Sequence, residues 1–170
     1  MVKPNTMEPK LEMIILFFGI LFTGLTAGLC FTWSNAITPG IGRLDDLGFL
    51  KAFQAMNRAI INPSFAIVFI SPCLLLFVNA FLFKNSNQIT FLSFLAAAIV
   101  FFAGIGLITA LKNVPLNEIL DKTILENATQ VELADLRKTF EQPWNRWHAV
   151  RTVCSFTSFI LLIIGMIFNK

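Results

Sequence analysis

Four tracts of this sequence carry no charged residue, and they constrain the fold more than any other feature. They lie between Glu12 and Arg43, between Arg58 and Lys84, between Lys84 and Lys112, and between Arg151 and Lys170. Within them, residues 13–33, 63–83, 89–111 and 152–168 each form a mainly apolar run of about 17 residues or more, enough to cross ~30 Å of hydrocarbon. In a bilayer every backbone polar group needs a partner within the chain, so such runs become helices. The fold expected is all-α: a four-helix transmembrane bundle with short interfacial helices in its two long connections. Composition agrees. Hydrophobic residues make up 56% and charged residues 14%, against roughly 45–50% and 25% in soluble domains.

The first run is too long for the ~7–15-residue apolar core of a signal peptide, and no A-x-A site follows it. It is expected to stay as a span. Residues 1–10 form a polar tail and 11–170 a single four-span membrane domain. Cys30, Cys73 and Cys154 all fall in spans and read as small buried hydrophobes with free thiols. The net charge of +3 is small and scattered, so nucleic acid is not an expected partner.

The connections carry their own signals. "SNAITPGIGRLDD" is a loop, and Asp45 or Asp46 can cap a helix over 46–60. In that helix Phe49, Phe53, Met56 and Ile60 form one apolar stripe, expected to pack over the long-loop end. Asn62 and Pro63 open the second span, and "KNSNQ" is a tight turn to the third. Asn113 and Pro115 are expected to stop span three, with Asn117 capping a short helix. "TQVE" is a capping box for a helix reaching about Glu141. Gln142 and Pro143 then open the fourth helix. Both long connections fall on one side. Lys and Arg number nine there and four on the other side, which favours cytoplasmic long loops. Counted per residue of loop, the bias reverses.

"PWNRWHAVR" (143–151) holds two tryptophans, two arginines and the only histidine. At helical spacing Trp144, Trp147, His148 and Arg151 share a stripe that Ser155 and Ser158 continue. Trp and Arg also serve as interface anchors, which accounts for Arg146 pointing into headgroups. Ionisable groups at membrane depth face the bundle interior and mark function. Matching faces occur elsewhere: Gly24, Ala27, Gly28, Phe31 and Asn35 on span one, and Gly106, Thr109, Ala110 and Asn113 on span three. Asn57 falls on the apolar half of the short helix. His148 and Arg151 are therefore expected to converge with Asn35, Asn57 and Asn113 on one cavity. One histidine cannot supply the usual ligands of a transition-metal site, and no C-x-x-C-H, G-x-G-x-x-G or P-loop pattern is present. No metal and no cofactor is expected.

The ordered set "F-x-W-S-N-A-I-T-P-G", "M-N-R-A-I-I-N-P-x-F", "N-V-P-L-N-x-x-L" and "W-N-R-W-H-x-x-R" resembles the anthrone oxygenase-like family of small integral membrane proteins, over roughly residues 15–165. Much of that family is bacterial, so the resemblance implies a multi-pass protein of a bacterial inner membrane. It also implies oxidation of an anthrone-like hydrophobic aromatic by O₂ without a cofactor. That chemistry needs a base, donors for an enolate oxygen, and a flat apolar pocket that excludes water. His148 is the candidate base. Arg151, Asn57 or Asn35 would hold the oxyanion, with Asn113 beside them. Trp33, Trp144 and Trp147 would stack on the rings. Two other readings use the same residues. One is a non-enzymatic binder or carrier of a lipid, quinone or polyketide-like molecule. The other is an accessory membrane protein whose polar cluster only ties the loops to the bundle.

Overall fold

The computed structural model describes residues 7–169, and among them every regular element is helical. Of the polar tail assigned to 1–10, residues 1–6 lie outside the described residues. Helix α1 (Met7–Thr32) continues through a π-helical turn, Trp33–Ile37, into α2 (Thr38–Ile41). Helix α3 is Asp46–Ile60, α4 is Pro63–Leu82 and α5 is Gln88–Phe101. Two further π-helical stretches, Phe102–Leu107 and Thr109–Asn113, join α5 to α6 (Val114–Lys122). Helix α7 is Gln130–Ile167. Among the described residues four continuous helical rods are long and apolar enough to span a membrane: Lys10–Ile41, Pro63–Leu82, Gln88–Lys122 and Gln130–Ile167. The protein is a multi-pass helical membrane protein.

The helix starts follow their caps. Asp45 accepts from Gly48 N, Asn62 from Phe65 N and Asn87 from Thr90 N. Thr129 and Glu132 form a reciprocal capping box, each satisfying a backbone N–H that the first turn leaves free. α1 packs on α4, α4 on α5, α5 on α7 and α7 on α1, which closes a ring. Leu16, Leu76, Phe94, Phe101, Ile105 and Leu162 fill its centre.

Three boundaries differ from the sequence expectation. The fourth helix does not open at Pro143; α7 runs unbroken from Gln130 with Pro143 inside it. Proline removes one ladder bond and crowds the preceding turn. Packing on both sides of it keeps the axis continuous: the Phe53 ring lies 4.7 Å from Phe140 and 4.8 Å from Trp144, centre to centre. Span three does not stop at Asn113 and Pro115. Pro115 falls in the first turn of α6, directly after a π-helical turn whose last bond runs from Val114 N–H to Thr109 O; the helix passes over the N–H that proline lacks, and the rod continues to Lys122. The buried stripe of α3 is Phe49, Leu50 and Phe53, with Met56 only half-buried. Arg137 reaches across that helix's start, donating to Leu44 O, Gly42 O and Asp46 Oδ1. This turns the helix so that Leu50 rather than Met56 faces inward.

The three cysteines are unpaired. Gly104 lies so close to Cys154 on α7 that a Cβ there would collide with the thiol. Gly24 approaches α7 in the same way, with Phe159 2.9 Å from where its Cβ would stand. Gly28 meets nothing within 4 Å, so the expected Gly24–Gly28 contact surface is half occupied.

Candidate functional site

The rod that α1 begins and the α5–α6 rod both leave regular α-geometry towards the site. A π-turn lengthens the bonding step and re-aims the side chains beyond it, and such turns are frequent at functional sites. Between these two re-spaced segments, α7 presents Trp144, His148 and Arg151, all buried. Their spacing is the stripe seen in the sequence.

The polar bonds form a chain. Arg151 Nη2 donates to His148 Nδ1 at 2.7 Å. A guanidinium can only donate, so Nδ1 is the unprotonated nitrogen of a neutral imidazole. Its Nε2–H then donates to the Cys30 carbonyl at 3.1 Å. Arg151 Nη1 donates to Thr109 Oγ1 at 3.1 Å, while Nε is buried without a partner. Thr152 donates to His148 O and pairs with Ser34 at 3.0 Å. Trp144 stacks on the imidazole at 4.9 Å and 15°, and its Nε1 donates to Asn117 Oδ1 at 2.7 Å. The Arg151 guanidinium lies 5.3 Å from the Trp144 ring centre, within cation–π range.

A cavity of about 270 Å³ opens beside this chain, lined by His148, Arg151, Thr109, Asn57, Asn117 and Cys30 among its polar contributors. That is close to the low end of the roughly 300–1,000 Å³ usual for small-molecule sites. Its walls are Trp33, Phe53, Phe65, Phe69 and Trp144. Trp33 bridges the wall, 5.6 Å from Trp144 and 5.7 Å from Phe53. Asn57 makes no side-chain hydrogen bond among the described residues, and an amide at a cavity wall needs one from a ligand or water.

The structure thus brings His148, Arg151, Asn57, Trp33 and Trp144 to one cavity and leaves three candidates outside it. Asn35 is exposed. The inward face of α1 runs through Leu16, Gly19, Thr23, Ala27 and Cys30, so the line from Gly24 through Gly28 and Phe31 to Asn35 is a neighbouring face. Trp147 turns to the outer surface beside Lys112 and Arg146, and Arg146 is exposed. Asn113 is buried behind the wall, donating to Trp144 O at 3.3 Å; it supports the helix that carries the site. Asn117 was expected to be a cap, but it lies inside α6 and holds Trp144. The aromatic pair Phe65 and Phe69, stacked at 4.9 Å, was not singled out from the sequence. Its i, i+4 spacing just after the Asn62–Pro63 start was the available signal.

Fold and site together define a class: a multi-pass helical membrane protein with a buried polar pair at one end of an aromatic-walled cavity. The sequence profile of the family described as anthrone oxygenase matches residues 49–161, more than half of the chain. The protein belongs to that family. The matched span holds α7 as far as Leu161 and every site residue except those of α1 and the π-turn after it, so Cys30 and Trp33 lie outside it. No curated protein and no solved structure matched the chain.

Proposed function

We propose that this protein is a membrane-embedded oxygenase that converts an anthrone-like aromatic to the corresponding quinone with O₂ and no cofactor. The observation that carries the reading is the placement of His148 and Arg151 on a cavity whose wall also holds the rings of Trp33, Phe53, Phe65, Phe69 and Trp144. A substrate carbonyl would take a guanidinium N–H from Arg151, releasing His148 Nδ1 to accept the proton from the ring CH₂. The negative charge moves onto the carbonyl oxygen, where Arg151 stabilises it. O₂ then adds at the deprotonated carbon to give a peroxide anion, which takes the proton back from His148 and becomes a hydroperoxide. Loss of water breaks the O–O bond, leaving one oxygen atom in the new carbonyl and the other in the water. The aromatic walls would hold the ring plane and keep bulk water from the anion. The location that fits this reading is a bacterial plasma membrane.

A second reading rests on a specific observation. Both His148 nitrogens already have partners, as in a site that binds without turnover. Anthrone oxidation by purified protein in lipid nanodiscs separates the two. O₂ uptake and quinone absorbance are followed against protein-free autoxidation. His148→Ala is expected to lower the catalysed rate by ~10²–10⁴-fold while the protein stays monodisperse. Full turnover in His148→Ala removes the oxygenase mechanism. Ligand binding by the wild type with no rate above background establishes the binder.

A further inference from the structure

We propose that the ligand reaches this cavity sideways, out of the bilayer hydrocarbon, through a portal between α1 and the beginning of α4. The site cavity lies next to a second space of about 350 Å³ on the outside of the bundle, and the two share Leu29, Ile60 and Phe65 as lining. The outer space is otherwise walled by Leu25 and Val68, with Asn62 and Ser64 at its polar end. Leu25 and Leu29 are 46% and 44% exposed. On a membrane span, that exposure is to lipid.

The opening follows from how the chain is laid down. α3 ends at Ile60 and α4 begins at Pro63, so the chain turns at Ile61 and Asn62 instead of running a helix along α1. Deeper down, the α1–α4 seam is pinned. Pro72 has no N–H to offer the carbonyl four residues before it, and that carbonyl, Val68 O, accepts from Thr26 Oγ1 at 3.0 Å. Beyond this clasp only side chains of Leu29, Ile60 and Phe65 close the gap. The water-facing direction is different. Phe53, Trp33, Trp144 and Phe140 lock ring against ring over the site. Arg137, Arg58 and Gln54 tie α3 down to α7 and α6. The route to lipid is therefore apolar and unpinned, and the roof towards water is bonded. What fits the route is an apolar molecule dissolved in the membrane that presents its polar edge to Arg151 on arrival. The identity of the ligand rests on the function proposed above; the route does not.

Bromine on phospholipid acyl chains quenches tryptophan by contact, and this tests the route without any ligand. Trp147→Phe leaves Trp33 and Trp144, both on the cavity wall, as the only tryptophans. In vesicles of brominated phosphatidylcholine this protein is expected to lose fluorescence relative to unbrominated vesicles. Added Leu29→Phe, or independently Ser64→Phe, is expected to abolish most of that loss. Equal quenching with and without both rim substitutions overturns the portal, as does stronger quenching by aqueous iodide than by brominated chains. A second arm follows uptake of a hydroxyanthraquinone from vesicles by stopped flow. Ser64→Phe, which touches only the outer space, should slow association and release together and leave Kd unchanged; an altered Kd with unchanged association makes Ser64 part of the binding site and overturns its gating role. If the wild type does not bind this compound, the proposed function fails, and the bromolipid arm still decides the route.

Discussion

The two ends of the bundle use their polar side chains differently. Towards the Lys84–Asn87 turn, hydroxyls and amides bond to backbone carbonyls: Ser158 to Ala97 O, Thr90 to Gly165 O, Thr23 to Gly19 O and Asn79 to Leu75 O. Around the cavity some groups also reach carbonyls, as His148 does at Cys30 O, but here side chains bond to one another as well: Arg151 to His148 and Thr109, Trp144 to Asn117, Ser34 to Thr152. The first pattern satisfies a group locally and lets helices close up, as Gly165 does against Phe94. The second holds charges and rings at fixed positions across three helices, and it comes with π-turns and a void. One end is packed for rigidity; the other keeps groups whose bonds a ligand can exchange.

That contrast can be broken from either side. The largest effect is expected from Gly165→Val. Its side chain would enter the Phe94 ring, and overpacking of this kind costs about 1–3 kcal/mol or more; loss of monodisperse protein on size exclusion, with no ligand present, is the readout. Asn117→Leu comes next. It strands the Trp144 indole N–H, which costs about 1–3 kcal/mol, and it should weaken ligand binding as well as lower the thermal midpoint. Ser158→Ala should cost about 1 kcal/mol in thermal stability and leave binding untouched, because the Ala97 carbonyl keeps its place in the α5 ladder. Arg146→Ala, on the exposed side of the same helix, should stay within about 0.5 kcal/mol and change neither binding nor turnover. If Ser158→Ala impaired binding as much as Asn117→Leu, the division into a packing end and a site end would fail.

Much of this was legible in the residues. Uncharged runs define the four spans, and the caps at Asp45, Asn62 and Thr129 define helix starts, because each depends on chemistry within a few residues. The Trp144–His148–Arg151 stripe was legible for the same reason: one helix face is a matter of spacing. What failed was anything set by neighbours. Asn35 was placed by extending a small-residue line along α1, but the inward face is chosen by packing on α4 and α7. Pro143 and Pro115 read as helix boundaries from local cost alone; ring packing outweighs that cost at Pro143, and at Pro115 a π-turn carries the rod past it. The π-turns left no mark in the sequence that spacing rules detect, and the cavity depends on them.

The unbroken course of α7 has a mechanical consequence. Its 38 residues make a rod of ~57 Å, nearly twice the ~30 Å hydrocarbon thickness. The stretch that carries Arg137 and Phe140 and the stretch that carries His148 are the same stiff body. A tilt of a few degrees imposed outside the bilayer is therefore delivered inside it, and His148 travels with the cap. The extramembrane end of this helix is a lever arm whose fulcrum is the tight packing around Ser158 and Gly165.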